Sequence, residues 1–248
     1  MDESPYLFRA ANWDPSRPGS IPDLLLAHLG YTGLAVLVGL AIALPVGFWI
    51  GHTGRGSFLA INAGNAGRAL PTLGLLSLVV TLMGLGLTPV VIALVVLVVP
   101  PILTSSYAGI RSVDPAAVDA ARGMGMTELQ VLFRVELPMA LPVLLGGLRS
   151  AVLQVVSTAT VAAYAGLSGL GRLLIDGLAL NDYGRVVAGA VVVAALAVAL
   201  DLLIALVQRR VVSPGITGRG LARARETAGT RPAAEAATSG DRRAPAAP

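Results

Sequence analysis

The sequence predicts an all-α membrane protein of about five transmembrane helices with a structured cytoplasmic loop. Three observations carry that reading. Only 13% of the 248 residues are charged while 55% are hydrophobic, against about 25% charged in an ordinary soluble domain. No Asp, Glu, Lys or Arg occurs at 24–54, 69–110, 150–171 or 186–200. The arginines cluster between and after these stretches. A bilayer crossing takes ~20 apolar residues, so the 42 residues of 69–110 suffice for two.

Residues 1–23 are Pro-rich and open with two acids, without the basic start of a signal peptide. They are expected to form an ordered or semi-ordered extracytoplasmic pre-helix. The membrane domain is expected at 24–208, with spans near Leu24–Ile50, Phe58–Met83, Thr88–Ile110, Met139–Ala163 and Val186–Gln208. Gly84-Leu85-Gly86 is the natural turn between the second and third, because glycine has no Cβ to crowd tight backbone. The second span holds Asn62, Asn65 and Arg68 at the spacing of one helix face, and Pro71 is expected to kink it.

Orientation follows from the arginines. Arg55, Arg111, Arg122, Arg134 and eight arginines from Arg209 onward fall on one side, which the positive-inside rule makes cytoplasmic. Arg9, Arg17, Arg172 and Arg185 on the other side are diluted by acids. The N-terminus is therefore expected outside and the C-terminus inside a bacterial plasma membrane. Residues 209–248 form a basic tail; from Val212 it is nearly free of large apolar residues and expected to be disordered. Contact with anionic lipid is the alternative to a merely solvated tail.

Composition excludes several chemistries. All 18 basic residues are Arg, so neither a P-loop lysine nor a Schiff base is available. Cysteine is absent, which removes thiol nucleophiles, disulfides and Cys-ligated metals. Two histidines, His28 and His52, are too few for a His-rich metal site. No acid–base or nucleophile constellation converges, so the chain reads as no enzyme, with no cofactor and no metal. Topology explains the basic residues without nucleic acid. Any energy source must come from another subunit.

Residues 113–138, between the third and fourth spans, carry the strongest signal. Asp114 is a good N-cap, with Pro115 at the first helical position. Ala116–Arg122 are strong helix formers, and Gly123 or Gly125 stops the run. Thr127 restarts it, with Gln130 three residues on as a capping box. The exposed face would carry Ala, Met and Val flanked by Arg122 and Glu128. Such a face suits a partner's groove; folding back on its own bundle or into the lipid interface is the alternative.

Asp119-Ala120-Ala121, three residues, Gly125, nine residues, and Val135-Glu136-Leu137-Pro138 resemble the EAA loop of ABC importer permeases. That family's pattern is Glu-Ala-Ala, three residues, Gly, nine residues, Ile, any residue, Leu-Pro. The spacing is met throughout; Asp119 replaces Glu and Val135 replaces Ile. In that family the loop is the coupling helix that docks in a cleft of the ATPase subunit. The resemblance thus implies ATPase-coupling roles for Asp119, Ala120, Ala121, Gly125, Met126, Leu137 and Pro138. Ala120, Ala121 and Gly125 would be packing positions where larger side chains block docking.

The resemblance extends over roughly Leu24 to Gln208. Arg68-Ala-Leu-Pro71-Thr, Pro100-Pro101-Ile102, Tyr107-Ala-Gly109-Ile110, Ala121-Arg-Gly-Met-Gly-Met-Thr127, Gly169-Leu-Gly171 and Asp201 occur in this order. Together they are similar to the permeases of importers for glycine betaine, choline, carnitine and proline-type osmoprotectants. A methionine-importer-like permease fold is implied. So are a sister or identical permease, an ABC ATPase subunit and an extracytoplasmic substrate-binding protein. A permease for another small solute, such as methionine or an organic anion, fits the same loop. A channel or membrane anchor is the reading from a different class.

Polar residues inside the spans complete the candidate set. Gln154, Ser157, Thr158 and Tyr164 on the fourth span are candidates to line a path for a polar solute, with helix–helix hydrogen bonding the alternative. Arg149 either snorkels to the headgroups or joins an intramembrane charge network with Arg68 and Asp201. Gly47 and Gly51 are expected to let helices approach closely. Only 4% of residues are aromatic and no aromatic cage for a quaternary ammonium stands out. High affinity is therefore expected to reside in the binding protein.

Overall fold

The computed structural model describes residues 5–212, the Arg68 side chain excepted. The expected disordered tail lies outside the described residues from position 213 on. Among the described residues every regular element is helical.

Two short 3-10 turns, Tyr6–Phe8 and Ala10–Trp13, order the N-terminal segment. Trp13 Nε1 donates to the Leu7 carbonyl and Asn12 Nδ2 to the Tyr6 carbonyl. Helix α1 then runs Ile21–Thr53, 33 residues or about 50 Å. It begins three residues before the expected Leu24. Ser20 is the N-cap, Pro22 sits in the first turn, and Asp23 adds negative charge where the helix dipole favours it.

The expected second span is not one helix. It is divided into α2 (Ser57–Ala69) and α3 (Thr72–Met83), with Leu70 and Pro71 both extended between them. Proline disfavours helical backbone in the residue before it and cannot continue the hydrogen-bond ladder. The result is a break rather than a kink. Neither piece is long enough to cross a ~30 Å hydrocarbon layer alone.

Helix α4 follows at Leu87–Arg111, after a turn in which Gly84 has φ 87° and Gly86 φ 142°. These are conformations that L side chains rarely adopt. The loop helices α5 (Pro115–Gly123) and α6 (Glu128–Val131) lead through one wide π turn, Leu132–Glu136, into α7 (Leu137–Thr158). The π turn has a local cause. Pro138 lacks an N–H, and its ring would clash with the carbonyl four residues back, so the preceding turn widens.

The expected fourth span, Met139–Ala163, changes character at its far end: Ala159–Ala165 is 3-10 rather than α. A short helix, α8 (Gly171–Ala179), leads to α9 (Tyr183–Val211). Helix α9 continues through Arg209 and Arg210 to Val211, so residues 209–211 are helical rather than tail. The cationic side chains suit a helix C-terminus.

Four helical stretches are long and apolar enough to span a membrane. Their directions show that the chain traverses the bundle five times. A Cβ on Gly39 would collide with Val98, one on Gly47 with Ser106 at 2.5 Å, and one on Gly51 with Ile110 at 2.7 Å. Each partner lies 59 residues later, so α1 and α4 run parallel in fixed register. The α2–α3 pair must therefore return the full length between them. Helix α7 is antiparallel to α4, with Gly109 against the Ala140 carbonyl and Gly147 against Ser105. Helix α9 is antiparallel to α7, through Arg149–Asp201 and Gln208–Pro142.

The main core lies where α1, α4 and α7 meet and includes Ala35, Ala43, Val98, Ile102, Ala151 and Val155. A satellite core under the 113–138 loop is built from Ile110, Val113, Val118, Ala121, Val131, Leu132 and Ala140.

Candidate functional site

The 113–138 loop is a folded unit. The Asp114 side chain accepts from the Ala116 N–H at 2.9 Å. Thr127 and Gln130 form the reciprocal capping box, which satisfies N–H groups that a helix start leaves free. Gly125 has φ 83°, open space around it, and bridges the two helices. Arg122 closes the corner with two bonds to Glu128, Nε to Oε1 at 3.1 Å and Nη2 to Oε2 at 3.0 Å. Asp119 lies 3.7 Å from Arg122 Nη1. The Glu128 bond leads the influences that raise the Arg122 pKa above its ordinary value.

The loop divides its motif residues between two faces. Ala121, 1% exposed, and Val118 pack into the satellite core, with Met126 half-buried beside them. Asp119, Ala120 and Gly125 face outward. Met124, Leu129 and Phe133 join them, at 73%, 69% and 57% exposure. The outward apolar face therefore includes Leu129 and Phe133, which the motif does not mark, and excludes Ala121 and Met126. Leu137 and Pro138 are half-buried and begin α7.

One further pair of contacts anchors the loop. His52, in the last turn of α1, places Nδ1 2.6 Å from Glu136 Oε2 and Nε2 3.0 Å from Glu128 Oε2. Glu136 is buried at 5% exposure. The sequence signal was faint: Glu136 occupies the position that the EAA pattern leaves open, and 84 residues separate it from His52.

Within the spans, Arg149 on α7 and Asp201 on α9 form a two-pronged ion pair, Nε to Oδ1 and Nη2 to Oδ2. Gln154, Ser157 and Tyr164 lie exposed along α7 and its 3-10 extension. Thr158, half-buried, lines a small apolar cavity with Leu76, Leu94 and Ala162. Three of the four path candidates are thus exposed, and the fourth is turned partly into the subunit.

The 3-10 segment is held by side chains that sequence reasoning left without a role. His28, fully buried, has Nε2 3.0 Å from the Val156 carbonyl and Nδ1 2.8 Å from Tyr31 Oη. Tyr31 Oη also lies 3.3 Å from the Ala159 carbonyl. Leaving the α-helix frees carbonyls that apolar surroundings cannot hydrate, so buried donors must take their place. Gly169 and Gly171 complete this region: a Cβ on the first would strike Tyr31 Oη, and one on the second the Thr160 carbonyl.

Known proteins match this architecture. The chain is 32% identical over 191 residues to the glycine betaine/carnitine/choline transport system permease protein OpuCB of Bacillus subtilis, covering 77% of this chain and 88% of that one. It is 36% identical over 185 residues to the osmoprotectant import permease protein OsmY of Salmonella typhimurium, covering 74% and 78%. In fold it resembles the inward-facing MetNI methionine ABC transporter with a TM-score of 0.68 at 21% identity, covering 78% of this chain and 96% of that one. Residues 29–213 match the family described as binding-protein-dependent transport system inner membrane component. The chain belongs to that family of inner-membrane transport subunits.

Proposed function

We propose that this chain is the membrane-spanning permease subunit of an ATP-driven importer for quaternary ammonium osmoprotectants, namely glycine betaine, choline and carnitine, together with proline-type compounds. The relatives at 32–36% identity carry transport of such cargo in their names. The observation that carries the coupling part of the reading is the 113–138 loop. It exposes an apolar face, Ala120, Met124, Leu129 and Phe133, on a unit fixed by its own core and caps. An apolar face on a rigid short helix suits a groove in a second protein, here the ATPase.

In this reading the 113–138 end is cytoplasmic, the N-terminus is outside, and α2–α3 completes the fifth crossing. A second permease, identical or sister, faces the first, so that Gln154, Ser157 and Tyr164 line a path between subunits. ATP binding draws the two loops together and turns the path outward. Cargo arrives on a separate extracytoplasmic binding protein, and the path itself holds it weakly. The 113–138 loop takes the coupling role expected from the sequence, and the basic tail follows α9 on the same cytoplasmic side.

Uptake of labelled glycine betaine, choline, carnitine and proline, with and without the gene at high osmolarity, tests this directly. The expected result is loss of uptake on deletion, restored by wild type and not by Gly125→Arg. Unchanged uptake of all four in a strain without other importers for them overturns the cargo assignment.

A further inference from the structure

His52 does more than fill space at the end of α1. Its imidazole sits between two carboxylates with one ring nitrogen on each, Nδ1 to Glu136 at 2.6 Å and Nε2 to Glu128 at 3.0 Å. A neutral imidazole has a single N–H, and its second nitrogen can only accept. Between two carboxylates, a neutral ring would turn one lone pair against a negative oxygen. Both contacts are satisfied together when both nitrogens carry protons. The cluster then holds one proton that a neutral ring would lack.

The groups facing His52 come from three elements. Glu136 projects from the π turn and Glu128 from α6, while Arg122 on α5 holds the far side of Glu128. Asp119 lies behind Arg122. This chain of alternating charge runs from the end of α1 to α5, the helix that carries Ala120. Glu136 is buried and the His52 side chain is 12% exposed, so solvent screens their contact little. Helix α1 is packed against α4 in its C-terminal half by Gly39, Gly47 and Gly51. A push on the loop therefore reaches α1 through Glu128 and Glu136 on His52 without having to pass through α7.

We propose that His52, clasped by Glu128 and Glu136, is the positioning residue that transmits movement of the 113–138 loop to α1. This rests on the reading of that loop as the ATPase-coupling element.

The test uses the complete importer, with its ATPase and binding protein, in proteoliposomes in which uptake and ATP hydrolysis are measured together. His52→Arg supplies a fixed cation with donors enough for both carboxylates. It is expected to restore most of the uptake per ATP that His52→Ala loses. His52→Ala is expected to co-purify with the ATPase yet import about tenfold less per ATP hydrolysed, within the 5–150-fold span typical of coupling between sites. The apolar pair His52→Leu with Glu136→Leu, which removes the buried charge altogether, serves should His52→Ala fail to assemble; it should import several-fold less per ATP than wild type. His52→Arg as uncoupled as His52→Ala, or His52→Ala with wild-type uptake per ATP, overturns the proposal. Gly125→Arg separates the two readings. If it abolishes uptake while the His52 variants follow wild type, only the role of His52 fails; if it imports normally, the coupling reading falls and this proposal with it.

Discussion

Arg149 and Asp201 meet in a two-pronged ion pair between α7 and α9, 52 residues apart in the chain and both within apolar helices. Helix α9 is otherwise poorly buried in the subunit. Its register against α7 therefore leans on this pair and on the Gln208–Pro142 bond. Either single variant, Arg149→Ala or Asp201→Ala, leaves a charge in an apolar span without its partner, and the yield of folded permease should fall. The exchange Arg149→Asp with Asp201→Arg should recover part of it. Size-exclusion profiles of the four proteins make the check, and equal loss in the exchange variant and the singles would argue against pairing as the cause.

The glycine seam between α1 and α4 should tolerate no methyl group. Gly47→Ala sets a Cβ 2.5 Å from Ser106 Cβ and 3.1 Å from the Leu103 carbonyl. Overpacking of this kind costs about 1–3 kcal/mol. Gly33→Ala meets nothing within 4 Å and should be neutral or stabilising by up to about 1 kcal/mol, from helix propensity. Thermal unfolding followed by circular dichroism distinguishes the two.

Tyr31→Phe removes the donor shared between His28 Nδ1 and the Ala159 carbonyl. A buried polar group left without a partner costs about 1–3 kcal/mol, so the thermal midpoint should drop although no volume is lost at the core. Faster amide exchange confined to 156–171 would locate the damage in the 3-10 segment. An unchanged midpoint would mean that water or a neighbour takes the place of the phenol.

Leu129→Asp and Phe133→Asp should uncouple docking from folding. Both side chains are exposed, so the permease's own stability should change by no more than about 0.5 kcal/mol. Co-purification of the ATPase should be lost. By contrast, Ala121→Leu enters the satellite core, where Ala121 is 1% exposed, and should lower stability first. Docking retained by both Asp variants would remove this face from the interface.

Gly125→Ala should be costlier than Gly125→Asn, because only the backbone is at stake. The site is spatially open, and its φ of 83° is left-handed. A residue with a Cβ loses about 1–2 kcal/mol there, less for Asn, whose side chain bonds locally. Stability of the paired variants measures the difference.

Much of this architecture was legible because local chemistry decides it. Asp114, Thr127 and Gln130 announce helix starts by side chains that reach only two or three residues, and those starts appear where the sequence puts them. The turn at Gly84–Gly86 and the close approach at Gly47 and Gly51 follow from the missing Cβ. Arg149 and Asp201 stood out because charge is rare in a span. What stayed hidden depends on rotation and distance. Helix α5 has nine residues, four of them Ala, so no clear periodicity reveals that Ala121 turns inward and Ala120 outward. The N-cap at Ser20 lies ahead of Asp23, the charge that bounds the apolar stretch, so the charge pattern does not mark it. His28 meets Val156 across 128 residues, a separation about which one sequence carries no signal.

The constant offset of 59 residues along the glycine seam has a mechanical meaning. Two rods in contact at three matched points cannot easily slide or roll past one another, so α1 and α4 form a single beam. Flexure then concentrates where the hydrogen-bond ladder is interrupted: the Leu70–Pro71 break, the π turn before Leu137, and the 3-10 stretch after Thr158. Bending of the bundle becomes a matter of three short joints working around one stiff strut.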